Sequence, residues 1–197
     1  MGQVGADRRN LRLAVVALVA VIALTAAIEA GMGRSPLGPD GRFGWWDGDI
    51  WSSENSQRVA DAYSFSHIVH GILFYGILWL CAPGLPIGTR FVVALLAEAG
   101  WEVLENSPII IDRYREATIA LGYVGDSVLN SCCDIVMMTI GFLFAGSVRP
   151  RWSVATVVAM ELFCLWWVRD NLTLNIVMLV HPLEAIKTWQ SAGHPLP

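Results

Sequence analysis

Residues 98–134 read EAGWEVLENSPIIIDRYREATIALGYVGDSVLNSCCD, and the spacing of the acids within them decides how the chain is built. Glu98, Glu102 and Glu105 fall at i, i+4 and i+7, which sets them on one face of a helix. Asp126, Asn130 and Asp134 repeat the pattern at i, i+4 and i+8. Both stripes lie in segments that are otherwise apolar. An ionised side chain in the middle of a membrane helix costs about 2.5–3.5 kcal/mol on insertion scales. Six polar groups at that cost need partners, so the two stripes point to a site between helices.

Composition agrees with a membrane setting. Of 197 residues, 55% are hydrophobic and 15% charged, with nine Trp and a mean hydropathy of +0.52. The apolar residues gather in runs near spanning length, which argues for a polytopic membrane protein. A net charge of −4 supplies no basic footprint for nucleic acid. Cys81, Cys132, Cys133 and Cys164 all lie inside apolar runs and match neither a disulfide framework nor zinc spacing. They read as buried structural thiols.

The expected architecture is an all-α helix bundle of about five transmembrane helices, forming a single integral-membrane domain over residues 1–197. The spans are placed at 13–30, 63–81, 90–106, 126–145 and 152–168. Asp7-Arg8-Arg9 and Arg12 precede the first run, whose length exceeds most signal cores, so it is expected to stay uncleaved. Residues 31–62 form a polar outer loop in which Trp45, Trp46 and Trp51 suit the interfacial aromatic belt. Residues 107–125 read as a second, charged loop. The segment LTLNIVMLVHPLEAI at 172–186 is short and broken by Pro182, and reads as an amphipathic or interfacial piece.

Arginine density sets the orientation. Arg8, Arg9, Arg12, Arg90, Arg149 and Arg151 crowd short segments on one side, which makes the amino terminus cytoplasmic in a multi-pass inner-membrane protein. Helical rise then fixes depth. His67 and His70 fall about 6 and 10 Å below the outer end of the second span. Glu102 and Glu98 fall about 6 and 12 Å below the outer end of the third, and Asn130 and Asp134 at matching depths in the fourth. Three helices thus bring ionisable groups to the same outer third.

His67 and His70, at i and i+3, face one way beside the acidic stripe and are candidate metal ligands together with Glu102 and Asp134. The alternative is that the imidazoles only hydrogen-bond carboxylates. Glu102, Glu98, Asp134 and Asn130 are the candidate catalytic residues, as ligands, general base or proton carriers; helix–helix hydrogen bonding is their bland alternative. Asp126 reads equally as the cap of the fourth helix. Arg113 and Arg115, just outside, are candidates for holding a substrate anion, against a solvated loop paired with Asp112 and Glu116. Glu161, midway along the fifth span, is expected to face the same cavity.

The stretches YSFSHIVHG, EAGWEVLENSPIIIDRYREATIALGYVGDSVLNS and WWVRDNLTLNIVMLVHPLEAIKTWQ resemble an uncharacterised family of proteobacterial multi-pass inner-membrane proteins. The resemblance runs from about Tyr63 to Gln190. It implies a cell-membrane protein of unknown activity and carries no catalytic role to any residue.

Three functions compete. A metal-dependent enzyme, a hydrolase or transferase, would use zinc, iron or manganese held by His and carboxylate against a lipid or anionic envelope substrate. An ion- or proton-coupled transporter would use the acids as a relay, but no inverted repeat or inner polar path accompanies them. A structural or assembly protein would use the polar groups to lock helices, for which six clustered ionisable groups are excessive. The enzyme leads.

Overall fold

The computed structural model describes residues 2–192, with side chains from residue 11 onward. The side chains of Asp7, Arg8 and Arg9 therefore lie outside the described residues. The chain forms α1 (Gly2–Gly31), a short ladder of β1 (Trp46–Asp47) and β2 (Ala60–Asp61), then α2 (Ser64–Cys81), α3 (Ile87–Glu105) and α4 (Pro108–Ala117). It continues with α5 (Val128–Ser147), α6 (Pro150–Val168), α7 (Leu172–Val180) and α8 (Glu184–Gln190). The fold is an all-α membrane bundle.

Among the described residues, four helical stretches are long and apolar enough to cross a membrane: Leu11–Gly31, Ser64–Cys81, Val128–Ser147 and Pro150–Val168. The third expected span, α3, is 19 residues long but carries Arg90 and the three glutamates. It is protected by position: Glu98 and Glu102 are fully buried against the other helices. Large apolar side chains on α1 and α6, among them Val16, Val19, Val158, Leu162 and Trp166, are exposed, as residues facing lipid should be.

The tightest contact joins α2 and α5 through two glycines. A Cβ on Gly71 would run into the carbonyl oxygen of Met138 and the amide of Phe142, and one on Gly141 would run into the carbonyl of Ile68. Small residues at such a crossing let backbones approach where lipid supplies no hydrophobic drive. Around it Phe91, Ala94, Leu95, Ile135, Met138 and Phe142 form an apolar core between α3 and α5, flanked by Leu18 and Val21 of α1 and Phe74 of α2. Above it every element turns polar, with Glu29 on α1, His67 on α2, Glu102 on α3 and Asp134 on α5 all buried.

Residues 107–125, expected to be a loop, contain α4. Pro108 stands in its first turn, where its missing N–H costs nothing. Ile111, Tyr114 and Ala117 form its buried face, an i, i+3, i+6 pattern that the charges of Asp112, Arg113, Arg115 and Glu116 obscure in sequence. The polar loop 31–62 is pinned by a parallel register of Trp46 with Ala60 and Asp47 with Asp61. Trp46 also stacks on Trp167 of α6, ring centroids 5.7 Å apart. Neither α7 nor α8 approaches the ~20 residues a span needs, in keeping with the break at Pro182.

Gly71→Ala and Gly141→Ala should each lower stability in detergent by about 1–3 kcal/mol or more, the cost of overpacking a closed contact. Gly76→Ala, whose Cβ would meet nothing within 4 Å, should be neutral or slightly stabilising. Thermal melts of the three purified variants check this, and an unperturbed Gly71→Ala melt would remove the glycine crossing as the organising contact.

Candidate functional site

Within one turn of the glycine crossing, on its polar side, α2 presents its imidazoles to α3. The start of α2 is fixed by Asp61, whose Oδ1 accepts the amides of Tyr63 and Ser64 while the Ser64 hydroxyl accepts the Asp61 N–H. This reciprocal arrangement satisfies free amides at a helix start. His67 and His70 then follow on the face toward α3. Glu98 receives both: His67 Nδ1 stands 2.6 Å from Oε1, and His70 Nδ1 3.0 Å from Oε2.

One carboxylate thus engages the same nitrogen of two imidazoles. If Nδ1 carries the proton in each, as a carboxylate acceptor requires, both Nε2 lone pairs are left to other partners. His67 Nε2 faces Asp134 Oδ2 at 3.7 Å. Glu102 completes the cluster, with Oε1 3.3 Å from His67 Nδ1. Neither oxygen of Glu102 accepts a hydrogen bond, nor does Asp134 Oδ1, although Glu102 is fully buried and Asp134 is 3% exposed. Buried polar atoms are nearly always satisfied, so an unpaired set of this kind needs an explanation such as an ion. Among the described residues three ligand sets, His67–His70–Glu98, His67–Glu102–Asp134 and Glu102–Glu105–Asp126, each have their donor atoms within 4.8 Å of one another.

A second polar node ties the cluster to its neighbours. The Asn106 amide, at the end of α3, reaches Ser131 Oγ at 3.1 Å and the carboxylates of Glu29 and Asp126 at 3.4 Å. Its Oδ1 accepts the Asp126 N–H at 2.7 Å. Asp126 does not cap α5. Ser127 does so, its hydroxyl accepting the Asn130 amide, while Asp126 takes the Tyr123 hydroxyl at 2.8 Å and burial pushes it up to about 7.

Beside these groups lies a cavity of about 200 Å³. His67, His70 and Asp134 form part of its wall, with α4, α7 and the loop 119–126 closing it opposite. Asn130 also lines it, while its amide donates to the carbonyl of Arg58 and so holds the 31–62 loop against α5. Glu98 and Glu102 stand behind this wall, within reach of the imidazoles.

Arg113 and Arg115 are placed apart from it. Arg113 Nε donates to the carbonyl of Leu179 at 2.8 Å, and Arg115 Nε to that of Tyr123. Glu161, expected at the cavity, instead accepts the amides of Leu172 and Thr173 and the Thr173 hydroxyl. An anion at a helix amino terminus is stabilised by unpaired N–H groups and the dipole, so Glu161 seats α7.

Several polar residues here are not marked by the stripes in the sequence. Glu29 closes an apolar run, and an acid so placed is its only signal. Asp170 is 5% exposed and joins Tyr63, Asn171 and Gln190 by hydrogen bonds. Nothing local in the sequence marks those distant pairings.

Residues 29–192 match the family model described as a protein of unknown function, DUF2585. The chain belongs to this family. A UPF0314 protein of Sphingopyxis alaskensis is 53% identical over 174 residues, covering 88% of this chain and 93% of the relative. A UPF0314 protein of Rhizobium johnstonii is 50% identical over 175 residues, covering 89% and 90%. One from Agrobacterium fabrum is 49% identical over 184 residues, covering 93% and 92%. No solved structure matches. The matched span takes in α2 to α8 and begins at the buried Glu29.

Asp170, outside the membrane helices, carries a pH dependence. Burial raises its carboxyl from 3.8 to about 6, so the folded state keeps a proton that the unfolded chain has released. Stability from this group is therefore lost as pH rises from about 4 to 6 and is level above that. Asp170→Asn should remove the slope, and its advantage over the parent should grow across that window toward about 3 kcal/mol. Melting temperatures measured from pH 4 to 7.5 test the sign, which an advantage shrinking with pH would reverse.

Proposed function

We propose that this protein is a metal-dependent membrane enzyme, a hydrolase or transferase acting on a lipid or envelope substrate. The observation that carries the reading is Glu98 holding Nδ1 of both His67 and His70. A carboxylate behind a metal-binding imidazole fixes its tautomer and raises its basicity, a recurrent second layer around bound metals. His67 with Glu102 and Asp134 would hold the ion, with His70 beside them on the same carboxylate. The donor set of nitrogen and carboxylate oxygen suits zinc, iron or manganese better than magnesium. A divalent ion there would act as a Lewis acid toward a carbonyl or phosphoryl oxygen and toward water.

The chain's own residues have distinct parts in this reading. Glu98 orients the imidazoles. Glu102, neither of whose carboxylate oxygens accepts a hydrogen bond, is the general base. Asp134 reaches both the cluster and the cavity wall, so it connects the ion to the bound substrate. Arg113 and Arg115 act through the wall, holding α7 and the 119–126 loop by their carbonyls. A pocket is favoured over a transport route because the buried core beneath the cluster is apolar apart from Thr139.

Protein purified in a maltoside detergent should hold close to one equivalent of zinc, iron or manganese by elemental analysis. His67→Ala with His70→Ala should abolish it, and Glu98→Gln should weaken metal affinity about 10–100-fold. A parent protein that takes up no metal even after incubation with zinc would end the reading.

The reading also places the amino terminus in the cytoplasm and the cluster in the outer half of an inner membrane, on the arginine bias. In a cysteine-free background, Ser53→Cys should react with a membrane-impermeant maleimide on intact spheroplasts, and Arg149→Cys should react only after lysis. The opposite pattern would invert the orientation.

A further inference from the structure

The cavity wall carries three carboxyl groups that the metal reading does not use, beside Asp134, which it shares. Glu105, Asp126, Asp134 and Asp170 bring four carboxyl groups to it, and among the described residues no Lys or Arg lines it. Asp134 Oδ1 has no donor although the residue is 3% exposed. Tyr63, Trp101, Tyr114 and Tyr123 supply aromatic rings to the same wall, those of Tyr114 and Tyr123 standing edge to face with centroids 5.2 Å apart. Tyr63 and Tyr123 direct their hydroxyls to Asp170 and Asp126, which keeps these rings beside the acids. An anion here would find no cationic partner and would oppose ionisation of these carboxyls, whereas a cation would favour it. Aromatic faces backed by carboxylates are the surroundings that replace water around an organic cation. The volume of about 200 Å³ is many times the roughly 10–15 Å³ that admits one water on the same measure, and suits a small head group. Ile50, Ile119, Ile176 and Leu179 add apolar surface for what the head group is attached to.

We propose that this cavity binds an organic ammonium group, such as that of choline or ethanolamine, either free or at the head of a membrane lipid. The assignment names the substrate class of the same site and rests on the cavity being the substrate's place, while the ion is held by the neighbouring His67–Glu102–Asp134 set.

Calorimetric titration of the maltoside-purified protein with choline and with its uncharged isostere 3,3-dimethylbutan-1-ol tests the charge requirement. A parallel arm compares mixed micelles doped with lysophosphatidylcholine or lysophosphatidylglycerol. At least tenfold preference for the ammonium partner is expected, in the first arm for a free amine and in the second for a lipid head. Tyr123→Leu and Asp170→Asn should each weaken that binding at least fivefold. Should either variant fail to fold, hydrogen exchange on the parent decides location, with the bound ammonium compound slowing exchange in residues 108–126. No preference in either arm, or protection only outside those residues and α7, overturns the proposal. Zinc retained without ammonium preference sinks this inference alone. Ammonium preference in a protein that takes up no metal sinks the metal reading alone.

Discussion

The backbone contact between α2 and α5 at Gly71 and Gly141 is the constraint on which the rest of the bundle depends. It holds the two helices closer than side chains would otherwise permit. One turn above it the same closeness brings His67 within 3.7 Å of Asp134. A crossing widened by a methyl group would separate the imidazole from the aspartate. The position of the polar cluster is therefore set by residues that have no chemistry of their own.

α3 inserts against this pair at a cost. Three glutamates on one face would each disfavour a lone helix in lipid by about 2.5–3.5 kcal/mol. Their burial against α1, α2, α4 and α5 means that α3 gains its place from its neighbours and not from its own hydropathy. Glu98 is compensated by two imidazoles, and Glu105 faces Tyr114 and Trp101. Glu102 accepts no hydrogen bond, its nearby His67 Nδ1 being engaged by Glu98. The unevenness of that compensation separates a site from a set of helix-locking bonds, because a purely structural network gains nothing by leaving its central member unpaired.

Much of this is legible in the chain. Apolar runs near twenty residues mark four of the five expected spans, all but α3, and the constant rise of a helix makes the depths of His67, Glu102 and Asn130 comparable from their residue numbers alone. The four-residue spacing of acids in apolar surroundings marks the inward faces correctly, since only an inward face can carry them. Other features depend on long-range partners. α4 is hidden because its buried Ile111, Tyr114 and Ala117 alternate with four charged residues over barely three turns. Glu161 looks like a deep cavity residue, yet α7 folds back and offers it two amides. Gly71 and Gly141 are indistinguishable in sequence from Gly76 and Gly100, which meet nothing, because contact is a property of pairs.

The unpaired oxygens of Glu102 also tie occupancy of the cluster to the integrity of the bundle. Whatever compensates them, whether a cation or a proton, is bound in the folded state and has no equivalent in the separated helices. A ligand of that kind stabilises the fold by about 2.7 kcal/mol at a hundred times its dissociation constant. That is comparable to the cost of one buried acid in the membrane. Filling the cluster and seating α3 are then two descriptions of one equilibrium, since α3 contributes the groups that ligand would neutralise. The apolar core below is independent of it, with Leu95, Ile135 and Met138 fully closed. An emptied cluster should consequently loosen the polar end of the bundle first, where α3 meets α4 and the 31–62 loop, and leave the glycine crossing standing.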